Sequence, residues 1–186
     1  LGCYAFYTFT TQLGMSFVPG MLFAIVAIAA VSFVIEKLVF KKLRTKDHVM
    51  QMIVSNGLTI FLVDAIRVIW TANSIRLASP LEGKVFQIGS VIISAQRLSI
   101  LVAAVIVIVC LLTLLKKTKF GLMMRALPQD SLAANLNGIN VNRVSGITFA
   151  IAGASAVLGA LTMGPLYTVT PSIGDLYGNK IFVIIA

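Results

Sequence analysis

Four stretches of the chain stay apolar for the length a bilayer requires, and short basic or polar segments separate them. Crossing roughly 30 Å of hydrocarbon takes about 20 mostly apolar residues in a helix. Leu98 to Leu115 meets this without a charge and is closed by Lys116, Lys117 and Lys119. A second stretch, from about Phe17 to Phe40, is entered through Pro19-Gly20 and ended by Glu36, Lys37, Lys41 and Lys42. A third, from about Met50 to Thr71, contains Asn56, Asp64 and Arg67. The fourth, from about Val144 to Met163, brings Gly146, Ala150, Gly153-Ala154, Val157 and Ala160-Leu161 near one another in helical projection. Small residues of this kind let membrane helices approach closely. Leu1 to Thr11 reads as the outer end of a further helix, with Tyr4, Phe6, Tyr7 and Phe9 suited to an interfacial aromatic belt. Ile181 to Ala186 starts a fresh apolar run. The expected fold is all-α: a polytopic transmembrane bundle, one domain over 1–186, with about four complete spans and a partial helix at each end. It reads as an internal fragment of a longer membrane protein.

Basic residues set the expected orientation. Of the fifteen Lys and Arg, ten fall in two segments, 36–49 (Lys37, Lys41, Lys42, Arg44, Lys46) and 116–143 (Lys116, Lys117, Lys119, Arg125, Arg143). An excess of Lys and Arg marks cytoplasmic loops. Segments 36–49 and 116–143 are therefore expected in the cytoplasm, and 72–97 outside. The net charge of +9 is accounted for by topology, with no need of nucleic acid. In the outer segment, Val85-Phe86-Gln87-Ile88 and Val91-Ile92-Ile93-Ser94 flank Gly89-Ser90, the pattern of a short β-hairpin with a two-residue turn. It reads either as a lid on the helix ends or as a docking surface for an extracytoplasmic partner. Beyond Met163, Gly164-Pro165, Pro171, Gly174 and Gly178 interrupt helicity beside Thr168, Thr170, Ser172 and Asp175. Irregular backbone at membrane depth is tolerated only where it is buried in protein or lines an aqueous cavity. This stretch is an outer loop dipping inward or a broken segment at a pathway, with Thr168 and Pro171 as candidate lining residues.

Composition narrows the function classes. The 186 residues are 59% hydrophobic and 11% charged, against about 45–50% and about 25% for soluble domains. Most soluble enzymes and disulfide-stapled secreted domains are excluded. Cys3 and Cys110 lie in apolar runs, where a thiol behaves as a small hydrophobe, so neither a disulfide nor a metal site is expected. There is no G-x-x-x-x-G-K-[ST] phosphate loop, no Cys/His cluster and no G-x-S-x-G elbow, and His48 sits in a basic loop. No cofactor and no enzymatic activity are expected of this chain. Asp64 and Arg67, three apart, share a helix face and can pair. Each alone would cost about 2.5–3.5 kcal/mol at mid-membrane on insertion scales. They form a structural ion pair or stand near a substrate path. Asn56, beside Ser55 and Gly57, either bonds a neighbouring helix or lines a cavity.

Segment 116–143 carries the most specific pattern. Pro128-Gln129-Asp130 opens a short helix, with Pro allowed and an acid favoured in the first turn. Leu132 and Leu136 repeat at i, i+4 around Ala133-Ala134, Gly138 provides the C′ stop, and Ile139 supplies the apolar residue after it. A helix this short is not stable alone in water, so it packs on the membrane domain, a partner, or both.

The run Lys119-Phe120-Gly121-Leu122-Met123-Met124-Arg125-Ala126-Leu127-Pro128-Gln129-Asp130, followed by Ala133-Ala134 and by Asn137-Gly138-Ile139-Asn140-Val141-Asn142-Arg143-Val144, resembles the cytoplasmic loop of ABC-importer permeases. The match is to the branched-chain amino acid type, which includes urea and amide members. The likeness continues through Thr148-Phe149, Gly164-Pro165-Leu166-Tyr167, Pro171-Ser172-Ile173-Gly174 and Lys180. Where other ABC permeases open this loop with Glu in an E-A-A signature, this chain has Gln129-Asp130. The resemblance implies a coupling helix seated in an ATPase cleft, with Arg125, Ala126, Asp130, Ala133, Ala134, Gly138 and Ile139 at the coupling positions. It implies ABC ATPase subunits that hydrolyse ATP, a second permease subunit (homologous or identical) and an extracytoplasmic substrate-binding protein. The setting it implies is the lipid of a prokaryotic plasma (inner) membrane, where this chain forms half of a translocation pathway. The implied cargo is a branched-chain or related small amino acid, with urea, amides, sugars or nucleosides as alternatives. An ion-coupled carrier or membrane-embedded enzyme is the reading from another class, with Asp64 as its intramembrane acid.

Overall fold

The computed structural model describes residues 1–44, 46–70, 73–77, 85–88 and 91–174. Helix α1 (Gly2–Tyr7) continues through a π-turn over Thr8–Gln12, and α2 (Phe17–Ile35) continues through a second π-turn, Glu36–Phe40, into α3 (Lys41–Leu43). After α4 (His48–Trp70) come strands β1 (Val85–Ile88) and β2 (Val91–Ser94), and then α5 (Ala95–Lys117). Two short helices, α6 (Lys119–Ala126) and α7 (Ser131–Leu136), lead to α8 (Val141–Met163), which ends in a 3₁₀ turn, Gly164–Leu166. Among the described residues, four helical stretches are long and apolar enough to cross a membrane: Phe17–Leu43, Val49–Trp70, Ala95–Lys117 and Val141–Leu166. They coincide, within a few residues at each end, with the spans expected from the hydrophobic pattern. The protein is an all-α, multi-pass membrane protein.

β1 and β2 pair antiparallel, from Val85 opposite Ser94 to Ile88 opposite Val91. The Gly89-Ser90 turn and residues 78–84 lie outside the described residues.

α8 packs most extensively against α2. A Cβ added at Gly153 would overlap Ser32 Oγ, and one at Gly146 would stand 2.6 Å from Phe33 Cε2. The Gly/Ala face of α8 is therefore a packing surface, filled by a neighbouring helix at close range. α1 lies against both α2 and α8. Its Tyr4 and Phe6 are only 1% and 3% exposed, within a core that includes Ala24, Ile66, Val157, Leu161 and Val169. This corrects the expectation of an interfacial belt, because Tyr4 and Phe6 are protein core. Tyr4 is tolerated there because its hydroxyl donates to the Asn73 and Val169 carbonyls, at 3.4 and 3.5 Å.

The two ends of the bundle differ in character. At one end the basic segments meet: Arg44 Nη1 donates to Asn142 Oδ1 at 3.1 Å, and the Phe40 ring lies 5.0 Å from that of Phe149. Segments 36–49 and 116–143 thus share one end, as an even number of crossings between them requires. At the other end Ile75 and Val169 exchange backbone hydrogen bonds of 3.0 and 2.9 Å, and Trp70 Nε1 donates to Thr8 Oγ1 at 2.7 Å.

The α2–α8 contact makes a paired prediction. Gly153→Ala must push α8 off Ser32 and should destabilise the protein by about 1–3 kcal/mol, the usual range for overpacking. Gly159→Ala, whose Cβ would meet nothing within 4 Å, should be close to neutral. Thermal unfolding of both variants in lipid nanodiscs measures the difference.

Candidate functional site

The basic end is built from capped, abruptly turned helices. Thr118 starts α6, its hydroxyl accepting from the Gly121 N–H at 2.9 Å and donating to the Leu114 carbonyl at 2.6 Å. The chain folds back so tightly that a Cβ at Gly121 would overlap the Leu114 carbonyl oxygen and stand 2.5 Å from that of Leu115. A turn over Leu127-Pro128-Gln129 follows α6, and Asp130 then caps α7. Asp130 Oδ1 accepts from the Leu132 and Ala133 N–H groups, both at 2.9 Å. This refines the expected helix start. Pro128 precedes the helix and Asp130 is its N-cap, because an extended backbone lets the carboxylate satisfy two N–H groups that have no helical partner. At the other end Gly138 adopts φ +81°; its N–H bonds the Asn135 carbonyl at 3.0 Å, while the Ile139 N–H bonds that of Ala134 at 3.1 Å. That is a Schellman stop. Asn140 caps α8 immediately afterwards, its Oδ1 accepting from the Arg143 N–H at 3.1 Å. Three residues, Asn137 to Ile139, therefore join α7 to the cap of α8 with a fixed backbone.

The faces of α7 divide the expected coupling positions. Ala134 is buried and Ile139 half-buried, so both are turned toward the chain itself. Ala133 is exposed, and Leu132 and Leu136 are 71% and 82% exposed. Arg125 and Asp130 are exposed, and Ala126 is half-buried. The outward surface of α7 is thus Leu132, Ala133 and Leu136 rather than the Ala133-Ala134 pair. A methyl at 134 is small enough to let the helix settle on its neighbours, and settling that face turns the leucines away.

Within the membrane region, Arg67 Nη1 donates to Asp64 Oδ1 at 2.9 Å, and the two side chains are 49% and 58% exposed. Asn56 is exposed as well, and Arg67, eleven residues on, lies about three turns further along the same face. Beside this face is a cavity of about 530 Å³, bordered by α1, α4, α8 and the stretch after α8. Thr59, Leu62, Val63 and Ile66 line it from α4, and Ala156, Ala160 and Met163 from α8. Pro171 lines it too, next to Thr170 and Ile173; Asn56, Asp64, Arg67 and Thr168 do not. Thr59, which the hydrophobic pattern does not single out, and Thr170, expected only as a polar neighbour of Thr168 in the broken stretch, both line it. Glu36 closes α2 as the apolar run predicts, and it is in addition 2% exposed and paired with Arg44. The signal available was an acid closing an apolar run with an arginine eight residues later. Asp175, Gly178 and Lys180 lie outside the described residues. Among the described residues, no three His, Cys, Asp or Glu side chains gather to hold a metal ion.

The chain is similar to the high-affinity branched-chain amino acid transport system permease protein BraD of Pseudomonas aeruginosa, with 29% identity over 94% of this chain and 60% of that protein. It is similar to the corresponding permease protein LivH of Escherichia coli K12, at 27% identity over 88% of this chain and 54% of that protein. LivH of Salmonella typhimurium matches at 26% identity over the same shares. The chain thus spans a little over half the length of these relatives. No solved structure gives a significant match. The whole chain, residues 1–186, matches the family described as branched-chain amino acid transport system, permease component, and it belongs to that family.

Proposed function

We propose that the chain forms half of the membrane pathway of an ATP-driven importer for branched-chain or related small amino acids, and that α7 is the point where a separate ATPase subunit engages it. One observation carries the reading: α7 is capped at both ends and joined rigidly to α8, yet presents Leu132 and Leu136 outward. Burying a leucine contributes about 1.5–3 kcal/mol, so two on one short helix form a plausible anchor for a partner groove. The concentration of Lys and Arg at this end favours the cytoplasm, where ATP is available. A second permease chain would complete the pathway, and an extracytoplasmic binding protein would deliver the amino acid at the opposite end. The relatives' names support the cargo, and the prokaryotic inner membrane is the corresponding location.

The polar face of α4 supports a place for the pathway. A charge at mid-membrane costs about 2.5–3.5 kcal/mol and one in the last turns of a helix, where Asp64 and Arg67 lie, costs less because it can reach the interface, while an i, i+3 pair returns only about 0.2–0.5 kcal/mol. An exposed face bearing Asn56, Asp64 and Arg67 is therefore expected to meet water or protein rather than lipid. The neighbouring cavity, with Pro171 and the hydroxyls of Thr59 and Thr170 among apolar walls, suits an aliphatic side chain.

Three experiments test these assignments. Leu132→Asp with Leu136→Asp changes only exposed side chains, so abundance and thermal stability should stay near wild type. Co-purification of the ATPase should fall at least about thirtyfold, the loss of a binding hot spot of about 2 kcal/mol. Unchanged ATPase binding and uptake would refute the role of α7. Cysteines at Lys42 and Gln129 should react with a membrane-impermeant thiol reagent only from the cytoplasmic side, and one at Ser74 only from outside. Finally, Asp64→Leu with Arg67→Leu should leave protein abundance intact while uptake falls. Wild-type uptake with raised stability would instead identify that face as lipid-facing.

A further inference from the structure

We propose that Glu36, Arg44 and Asn142 form a clasp that makes α2 and α8 move together when α7 is displaced; this rests on the reading of α7 as the ATPase contact. Glu36 is 2% exposed and is held by Arg44 Nη2, while Arg44 Nη1 donates to Asn142 Oδ1 at 3.1 Å. One guanidinium thus spans two elements far apart in sequence, the end of α2 and the first turn of α8. The link enters α8 directly behind α7: Asn140 caps α8, and Asn142 lies two residues further on.

Local geometry explains how the residues meet. In a continuous α-helix, positions eight apart point about 80° away from each other. The π-turn over Glu36–Phe40 winds less per residue and brings Arg44 round toward Glu36. Such wide turns are rare and occur frequently at functional sites. Replacing a buried ion pair with apolar side chains is often neutral or stabilising, so stability alone gives little reason to keep a carboxylate at 36. What the pair contributes is a fixed position for Arg44, which in turn holds Asn142. The Phe40–Phe149 contact beside it keeps the two helices in register while the clasp transmits force.

Asn142 is exposed, so Asn142→Ala removes the cross-helix bond without opening the core or stranding Glu36. The experiment uses the complete importer, reconstituted with its ATPase and binding protein, with leucine as the probe. Asn142→Ala should insert normally, retain the ATPase and keep its basal hydrolysis. Leucine-dependent stimulation and leucine uptake should each fall about tenfold, the effect of one hydrogen bond to a charged group. Asn142→Asp, which restores an acceptor for Arg44, should recover both. Wild-type stimulation in Asn142→Ala overturns the clasp, as does a loss of basal hydrolysis and abundance that Asn142→Asp fails to repair. The Leu132→Asp, Leu136→Asp variant separates the two readings. If it releases the ATPase while Asn142→Ala couples normally, the clasp alone is wrong. If it keeps the ATPase and full uptake, the assignment of α7 is wrong.

Discussion

The close approach of α8 to α2 is the contact on which the rest of the structure depends. Lipid tails are as apolar as leucine, so helices in a bilayer gain nothing from hiding hydrophobic surface against each other and must associate through short-range packing. Gly146 and Gly153 permit that packing by leaving room for Phe33 and Ser32. Once α8 is seated, other elements take their places from it. α1 fits against Val157 at Gly2, where a Cβ would come within 2.8 Å of Val157 Cγ2. α5 is tied on by Gln96 Nε2, which donates to the Thr162 carbonyl at 3.0 Å.

α4 follows a different rule. Gln51 Nε2 donates to the Leu43 and Lys46 carbonyls of the segment that leads into it, and Ile66 and Trp70 join the core near its other end. Between them the wall of α4 stands off from α1 and α8, and the cavity occupies that gap.

The basic end combines rigid joints with an exposed apolar surface on α7. Asp130, Gly138 and Asn140 fix the backbone from the start of α7 to the start of α8, so a force on Leu132 or Leu136 has little slack to cross before it reaches the bundle. Ala134 anchors the inner face by being small, and the leucines stay outside because the anchor occupies the only inward side. Stability and availability to a partner thus come from opposite faces of six residues.

Much of this was determined by the amino-acid order alone. The four spans follow from the length of uninterrupted apolar runs, and the shared end of the two basic segments follows from counting crossings. The stop at Gly138 was equally legible, because a left-handed residue after a short helix is a local requirement that glycine meets best. The Asp64–Arg67 pair was visible for the same reason, since residues three apart on one helix are neighbours whatever surrounds them. What sequence spacing did not determine was which side each element turns toward the others. Tyr4 and Phe6 read as interfacial residues and are core, Ala134 read as a docking surface and is buried, and Glu36, a helix end as read, is also buried against Arg44. An apolar helix in a membrane protein is hydrophobic all round, so periodicity carries no sign of which face meets lipid and which meets protein. Only the three-dimensional packing, through the seam at Gly153 and the looser winding at Glu36–Phe40, decided those orientations.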